Sequence, residues 1–427
     1  MDISRRSFVT GCFGAAAAAT LAGCSGQSGQ SGSSDAKSVE NISVSLAEAK
    51  LDKDATTTAT VTPETDGVTF ESSNDAVASV AEDGTVTAHK AGDATITASA
   101  SGTSASAEVS VNRAVVSGTL TTTVDLTQYE AGKGVRLWLP VAVSDDHQEI
   151  KDVTFDAPGA TTAEITTDSL GNQMLYVEWA EDADPTTRTA ELAWHATRQE
   201  VGCPELVEQG EPDAEAKQYL EGSSMVPSNN QQITDAANEI VGNETSYLGK
   251  ARAIYDWVIA NMNRDENTVG CGQGDVCALL STRSGKCTDI NSVFVGLNRA
   301  VGVPAREHFG IRMGDADATK AQHCWCEFYL PGTGWVAADP ADVLKAVLKN
   351  NWSKDSAEAK ESADYFWGDW DAKRCQISSG RDLELEPKQA GEPLNDFGYP
   401  YAEVDGDALD FYDPANFVYS INFAKDE

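Results

Sequence analysis

SGKCTDINSVFVGLNRAVGVPAREHFGIRMGDADATKAQHCWCEFYLPGTGWVAADPAD, residues 284–342, is the stretch around which the rest of the chain is organised. Ile290, Val293, Phe294, Leu297 and Val301 recur at i, i+3, i+4 spacing and predict a helix with one apolar face. Cys287 begins that stripe, and Ser284 and Gly285 are the expected capping residues. A thiol in a first helical turn faces unpaired backbone N–H groups and the positive end of the helix dipole, which favours thiolate. From Gln322 to Tyr329 the residues alternate as in a strand, with His323, Trp325, Glu327 and Tyr329 on one face and Cys324, Cys326 and Phe328 on the other. Pro331 to Gly334 signals a turn, so Trp335 to Asp339 forms the second arm of a hairpin. That hairpin brings Asp339 beside His323. A cysteine, a histidine to take its proton and an aspartate to orient the imidazole make up a nucleophilic triad.

The phrases GKCTD, QHCWCEFY and GWVAADPAD closely resemble the three signature blocks of the transglutaminase-like superfamily, in its bacterial branch with a papain-like thiol core. The resemblance implies Cys287 as nucleophile, His323 as general base and acid, and Asp339 as the orienting carboxylate. A looser likeness to the wider bacterial branch runs from about Arg136 to the C-terminus. A lone cysteine is most often a buried hydrophobe or half a disulfide. Three blocks in family order outweigh that reading. An acyl-transfer site also needs donors for the oxyanion. The Cys287 amide is the expected first donor. Gln273, in the glycine-rich run Gly270 to Leu280, is the expected second. That run lacks the lysine and serine of a phosphate loop, so no nucleotide is expected. No cofactor or metal is expected either: no EF-hand loop occurs, and Cys271, Cys277, Cys324 and Cys326 include no CxxC pair.

The expected fold is multidomain: an all-β Ig-like sandwich, a second β domain, then an α+β papain-like transglutaminase core. Residues 1–23 read as a twin-arginine lipoprotein signal, from Arg5 and Arg6 through an apolar run to Leu21, Ala22, Gly23 and Cys24, the expected lipidation site. Residues 24–38, rich in Ser, Gly and Gln, read as a flexible tether. Short alternating runs in 39–113 predict a sandwich. Within them FESSNDAVASVAEDGTVTAHKAGDATITASA resembles a bacterial Ig-like group 2 domain, which implies a surface spacer or adhesive module. A spacer is preferred, because no exposed aromatic cluster is evident. Residues 114–203 read as a β-rich domain. Its RLWLPVAVSDDHQEIKDVTF is similar to the β domain that often precedes the catalytic core in these bacterial proteins. Residues 204–427 are read as the catalytic domain, with its core at about 230–345 and a C-terminal β extension completing it.

The net charge of -36, from 67 acidic and 31 basic residues, repels nucleic acid and anionic lipid head groups and excludes them as partners. Solubility is the preferred reading of that excess, ahead of an attraction for basic substrates. Setting aside Cys12, Cys24 and Cys287, six of the nine cysteines remain. In an oxidising compartment six allow three disulfides, with Cys271 and Cys277 a reasonable local pair. The functional expectation is a lipid-anchored thiol enzyme at the outer face of the cytoplasmic membrane or cell surface. It would act on amide or peptide bonds of a protein or peptide, cell-wall peptide among them, through a thioester resolved by water. A cross-linking acyltransferase and a non-catalytic surface binding protein are the alternatives. Membrane contact is expected only through the lipid.

Overall fold

The helix Cys287–Ala300 is buried along almost its whole length, from Cys287 to Asn298. An isolated amphipathic helix hides one stripe, so burial on every side requires neighbours all round. A computed structural model, which describes residues 41–426, supplies them. One flank packs on an antiparallel five-stranded sheet, in the order Trp367–Gly368, Gly334–Ala338, Gln322–Leu330, Ala305–Arg312 and Arg374–Ser379. The other flank meets the helices Gln231–Val241, Tyr247–Asn261, Val276–Thr282 and Pro340–Asn350. Ile290, Val293, Phe294 and Leu297 share one core with Tyr255, Phe328 and Trp367. The hairpin forms as expected, with Cys326 opposite Ala338 and Leu330 opposite Gly334.

Capping differs from expectation. Lys286 is the N-cap residue and Cys287 the first helical residue. Ser284 and Gly285 instead pair in parallel with Asn263 and Arg264, so their backbone is committed to a two-residue ladder just before the helix begins.

The second β region is a pair of sheets, and the C-terminal extension belongs to it. Tyr401–Val404 pairs with Val135–Val141, and Val418–Lys425 pairs with Val115–Asp125 over eight register positions. The C-terminal extension expected to complete the catalytic domain thus does so only in part. Arg374–Ser379 does join the catalytic sheet, but the later strands return to close sheets begun near residue 115. The driving force is apolar burial. Phe417, Ile421 and Phe423 lie in one core with Leu120, Leu137, Trp179 and Trp194, and Ile311, Met313, Cys375 and Ile377 extend that core from the catalytic sheet. Gln148–Asp156 and Thr162–Thr167, strands the sequence reading passed over, fill out the same two sheets.

The Ig-like region is a sandwich of two four-stranded sheets over Val86, Ile96 and Val109. Asn41–Glu427 forms one compact unit. Lys90 of the sandwich, for example, makes a 3.1 Å ion pair with Asp369, whose side chain is buried. The expected signal, the tether and Cys24 lie outside the described residues. No helix among the described residues is long and apolar enough to cross a membrane.

Candidate active site

Cys287 is held at the helix start by a buried carboxylate behind it. Asp289 accepts from the amides of Gln273 at 3.1 Å, Gly274 at 2.9 Å and Lys286 at 3.0 Å. The glycine-rich run therefore wraps a carboxylate of its own chain. A Cβ on Gly272, whose φ is +94°, would lie 2.0 Å from Asp289 Oδ2, and one on Gly285 would lie 2.3 Å from it. Only glycine permits that approach. Gln273 consequently does not serve as expected. Its side chain is exposed, its N–H goes to Asp289, and its carbonyl accepts from Arg381 at 3.0 Å and Asn395 at 2.8 Å.

The hairpin register carries His323 to Asp339. His323 Nε2 lies 2.8 Å from Asp339 Oδ2, and both side chains are almost wholly buried. With Nε2 committed to the carboxylate, Nδ1 is the ring nitrogen left for the thiol. Asp339 is itself pinned. Its Oδ1 accepts from the Asp342 amide at 3.1 Å, capping Pro340–Asn350, and from Asn291 Nδ2 at 3.3 Å. Arg374 Nη1 donates to Asp339 Oδ2 at 2.8 Å, and Arg374 Nη2 to Asp342 Oδ2 at 3.0 Å. Asp342, 3.6 Å from His323 Nε2, also pairs with Arg312. His323, Asp339 and Asp342 thus gather three ligand-type atoms. Arg374 and Arg312 already neutralise those carboxylates, so a metal cation there would meet two guanidinium groups.

The charges move the two reacting groups toward an ion pair. Burial and Arg312 push the His323 pKa down, but Asp342 and Asp339 outweigh them, and it ends above its ordinary value. The Cys287 thiol is drawn well below its ordinary value by Cys271 and Cys324, with His323 adding to the effect against burial. Cys271 shifts the other way, upward, through its contact with Cys287 and its burial, and Cys324 does so chiefly through burial, with Cys287 adding to it.

This clustering corrects the disulfide expectation. Cys203, Cys271, Cys277, Cys287, Cys324, Cys326 and Cys375 are all free. Cys271 is turned inward, its Sγ donating to the Gln322 carbonyl at 3.3 Å. Cys277 lies on the half-exposed side of Val276–Thr282, whose buried face is Val276, Leu279 and Leu280. The two expected partners therefore face different surroundings.

Cys287 opens onto a cleft of about 570 Å³, lined by Arg264, Lys286, Arg312 and Lys345 and by aromatic groups including Tyr399, Phe411 and Tyr412. Two unpartnered N–H groups belong to it. The Cys287 amide, at the first helical position, has no intrahelical acceptor. Gln322 Nε2 is buried without a partner. Sequence reasoning missed Asn291, Asp342, Arg312, Gln322 and Arg374. Asn291 lies one helical turn beyond Cys287 and was in principle findable; a lone arginine 35 residues after Asp339 gave no local signal. Trp367 and Trp370 are packing groups. Trp367 stacks on Phe328 with centroids 4.8 Å apart, and Trp370 packs edge-on against Trp325.

Comparison with known proteins finds two family patterns in the chain. The pattern of the Transglutaminase-like superfamily matches residues 234–340, and that of the bacterial Ig-like domain (group 2) matches residues 38–111. An uncharacterised protein of Haemophilus influenzae is 34% identical over 328 residues, covering 70% of this chain and 89% of that protein. Among solved structures, a candidate cysteine protease from Cytophaga hutchinsonii is similar at 18% identity and a TM-score of 0.44, covering 73% of this chain and 98% of that one. The periplasmic domain of TgpA from Pseudomonas aeruginosa is similar at 16% identity and a TM-score of 0.31, covering 54% of this chain and 88% of that one.

Proposed function

This chain belongs to the transglutaminase-like superfamily, and from that premise we propose that it is an extracytoplasmic thiol hydrolase of amide or peptide bonds. The observation that carries the reading is the placement of Cys287 at the helix start on the cleft, with His323 held to Asp339 at 2.8 Å, and the opposed shifts of thiol and imidazole accord with it. In the proposed reaction the Cys287 thiolate attacks the amide carbon, and the oxyanion is held by the Cys287 amide and Gln322 Nε2. His323 gives its proton to the leaving nitrogen as the C–N bond breaks. A thioester remains. Water then adds to it, giving one proton to His323, and the C–S bond breaks to release the carboxylic acid and return the thiolate. Hydrolysis is favoured over transfer to a lysine amine because the basic wall of the cleft repels an ammonium acceptor.

Two populations must coexist for the first step, thiolate and imidazolium. They coexist above the lowered thiol pKa and below the raised imidazole pKa, so turnover is expected to fall on both sides, with its alkaline limb above pH 6.5. Iodoacetamide labelling followed by peptide mass mapping tests the pair directly. At about pH 6 an ordinary thiol is below about 1% thiolate. Cys287 should therefore label fast in the wild type and more slowly in His323→Ala, where Cys271 and Cys324 still favour the thiolate. No preference for Cys287 in the folded, reduced protein would overturn the hydrolase reading.

The bacterial Ig-like domain supports a place outside the cytoplasm. Export by the twin-arginine signal and lipid attachment at Cys24 belong to the same proposal. Cys24→Ala should move the protein from the membrane fraction to the soluble one, and retention in the membrane fraction would count against the anchor.

A further inference from the structure

The cleft in front of Cys287 carries the opposite charge to the rest of the chain. Its charged wall residues are Arg264, Lys286, Arg312, Lys320 and Lys345 against Glu266 alone, in a sequence with 31 basic and 67 acidic residues. Some of that charge is already paired. Arg264 Nε meets Glu266 Oε1 at 2.5 Å, with Lys286 Nζ at 4.0 Å from the same residue, and Arg312 pairs with Asp342. Lys320 and Lys345 have no carboxylate within ion-pair distance among the described residues.

Lys345 is the more telling of the two. It lies one turn after Asp342 on Pro340–Asn350, half-buried, and Asp342 is already claimed by Arg312 and Arg374. Burial and the nearby Arg312 push the Lys345 ammonium below its ordinary pKa. Arg264 and Lys345 both also feel the charge of Cys287, so the positive wall reaches the reacting sulfur. Cations gathered in a half-buried cleft repel one another and shed water at a cost, which an incoming anion offsets. Also lining the cleft, Tyr399, Phe411 and Tyr412 pack together, Tyr399 and Phe411 stacked with centroids 4.9 Å apart.

We propose that the substrate is an acidic peptide, its carboxylates beside the amide that is cleaved and seated on Lys345, Lys320 and Lys286, with a less polar segment against the tyrosines. This rests on the hydrolase reading and names its substrate class. The chain's acid excess is not found in the cleft lining.

The test compares two reagents of similar size at one sulfur, iodoacetate and iodoacetamide, with 2-mercaptoethanol as the uncharged reference thiol. The ratio of the two rates at Cys287 cancels any difference in thiolate population. Relative to the reference, that ratio should favour iodoacetate by about tenfold or more at low salt. The preference should shrink as ionic strength rises. Lys345→Glu and Lys320→Glu should each reduce it several-fold. A short peptide with glutamates around a central alanine pair should protect Cys287 from iodoacetamide at lower concentration than the same peptide with glutamines. Fast iodoacetamide labelling with no iodoacetate preference, or equal protection by both peptides, overturns the acidic-substrate proposal and leaves the hydrolase reading standing. Slow labelling by both reagents overturns both.

Discussion

Asp339→Asn is expected to lower turnover on an amide substrate by about 10³–10⁴-fold without emptying the cleft. The direction follows from who donates to whom. Asp339 Oδ1 accepts from the Asp342 amide and from Asn291, so an asparagine keeps its oxygen on that side. Its Nδ2 then replaces Oδ2, facing Arg374 Nη1 and His323 Nε2. Donor now meets donor at Arg374, and His323 satisfies the new amide by accepting at Nε2. The ring proton moves to Nδ1, the nitrogen that must receive the thiol's proton. The negative charge that stabilised the imidazolium is also gone. Cys287 should therefore titrate closer to an ordinary thiol, and its iodoacetamide rate at about pH 6 should fall along with turnover. A variant that keeps the wild-type labelling profile while losing turnover would show that Asp339 acts on the substrate and not through His323.

Cys287, His323 and Asp339 were legible in the sequence because each sits in a local pattern. A helical stripe begins at Cys287, a period-2 run carries His323, and a turn signal fixes the register that delivers Asp339. Short-range periodicity encodes such elements. What it does not encode is the return of the chain. Arg374 reaches Asp339 only because Arg374–Ser379 lies at the sheet edge beside Ala305–Arg312. Tyr399, Phe411 and Tyr412 reach the cleft only because the chain passes it on the way to strands that close the second domain. Such placements depend on long-range pairing, and a lone arginine or tyrosine carries no trace of it. Cysteine spacing misled for a related reason. Cys271 and Cys277 are neighbours in sequence, but the turn around Asp289 sends one inward to Cys287 and leaves the other on a helix flank. The glycines of that run looked like an anion loop, and they do wrap an anion, the chain's own Asp289.

A second buried pair supports the helix from its other side. Glu307 meets Arg381 Nε at 2.7 Å, and Arg381 Nη2 donates to Ser292 Oγ at 2.7 Å. Arg381 also holds the Gln273 carbonyl, so one guanidinium ties the glycine-rich turn, the central helix and the sheet together. The site is therefore framed by two buried arginines. Arg374 stands behind the imidazole, and Arg381 stands behind the turn that positions the thiol.

Arg374→Met is expected to destabilise the catalytic core by roughly 3–5 kcal/mol at neutral pH. Its guanidinium is fully buried among Asp339, Asp342 and Asp371, and burial alone would penalise it; the three carboxylates outweigh that and hold it charged. Methionine keeps much of the volume against Trp325 and Phe366, so the cost read out is mainly that of stranded carboxylates. Those carboxylates also set the pH dependence. Despite burial, Asp371 is held at about 2 by Arg374 and Arg312, below its ordinary 3.8. A depressed carboxylate stabilises the fold above its unfolded pKa and loses that contribution as pH falls through the folded value. The variant lacks the contribution, so the gap between wild type and variant should narrow by the Asp371 share between about pH 4 and pH 2, while the share of Asp342, held lower still despite burial by Arg312, His323 and Arg374, persists below that range. Pulse alkylation of Cys326 and Cys375, both fully buried, reports opening of this core in a urea series. Adding Asp339→Asn should recover part of the loss, because one stranded charge is removed, and the two substitutions should couple by about 1–3 kcal/mol. If Cys326 becomes reactive at the same urea concentration in Arg374→Met as in the wild type, the arginine is not offsetting buried charge, and its place behind His323 is one of packing alone.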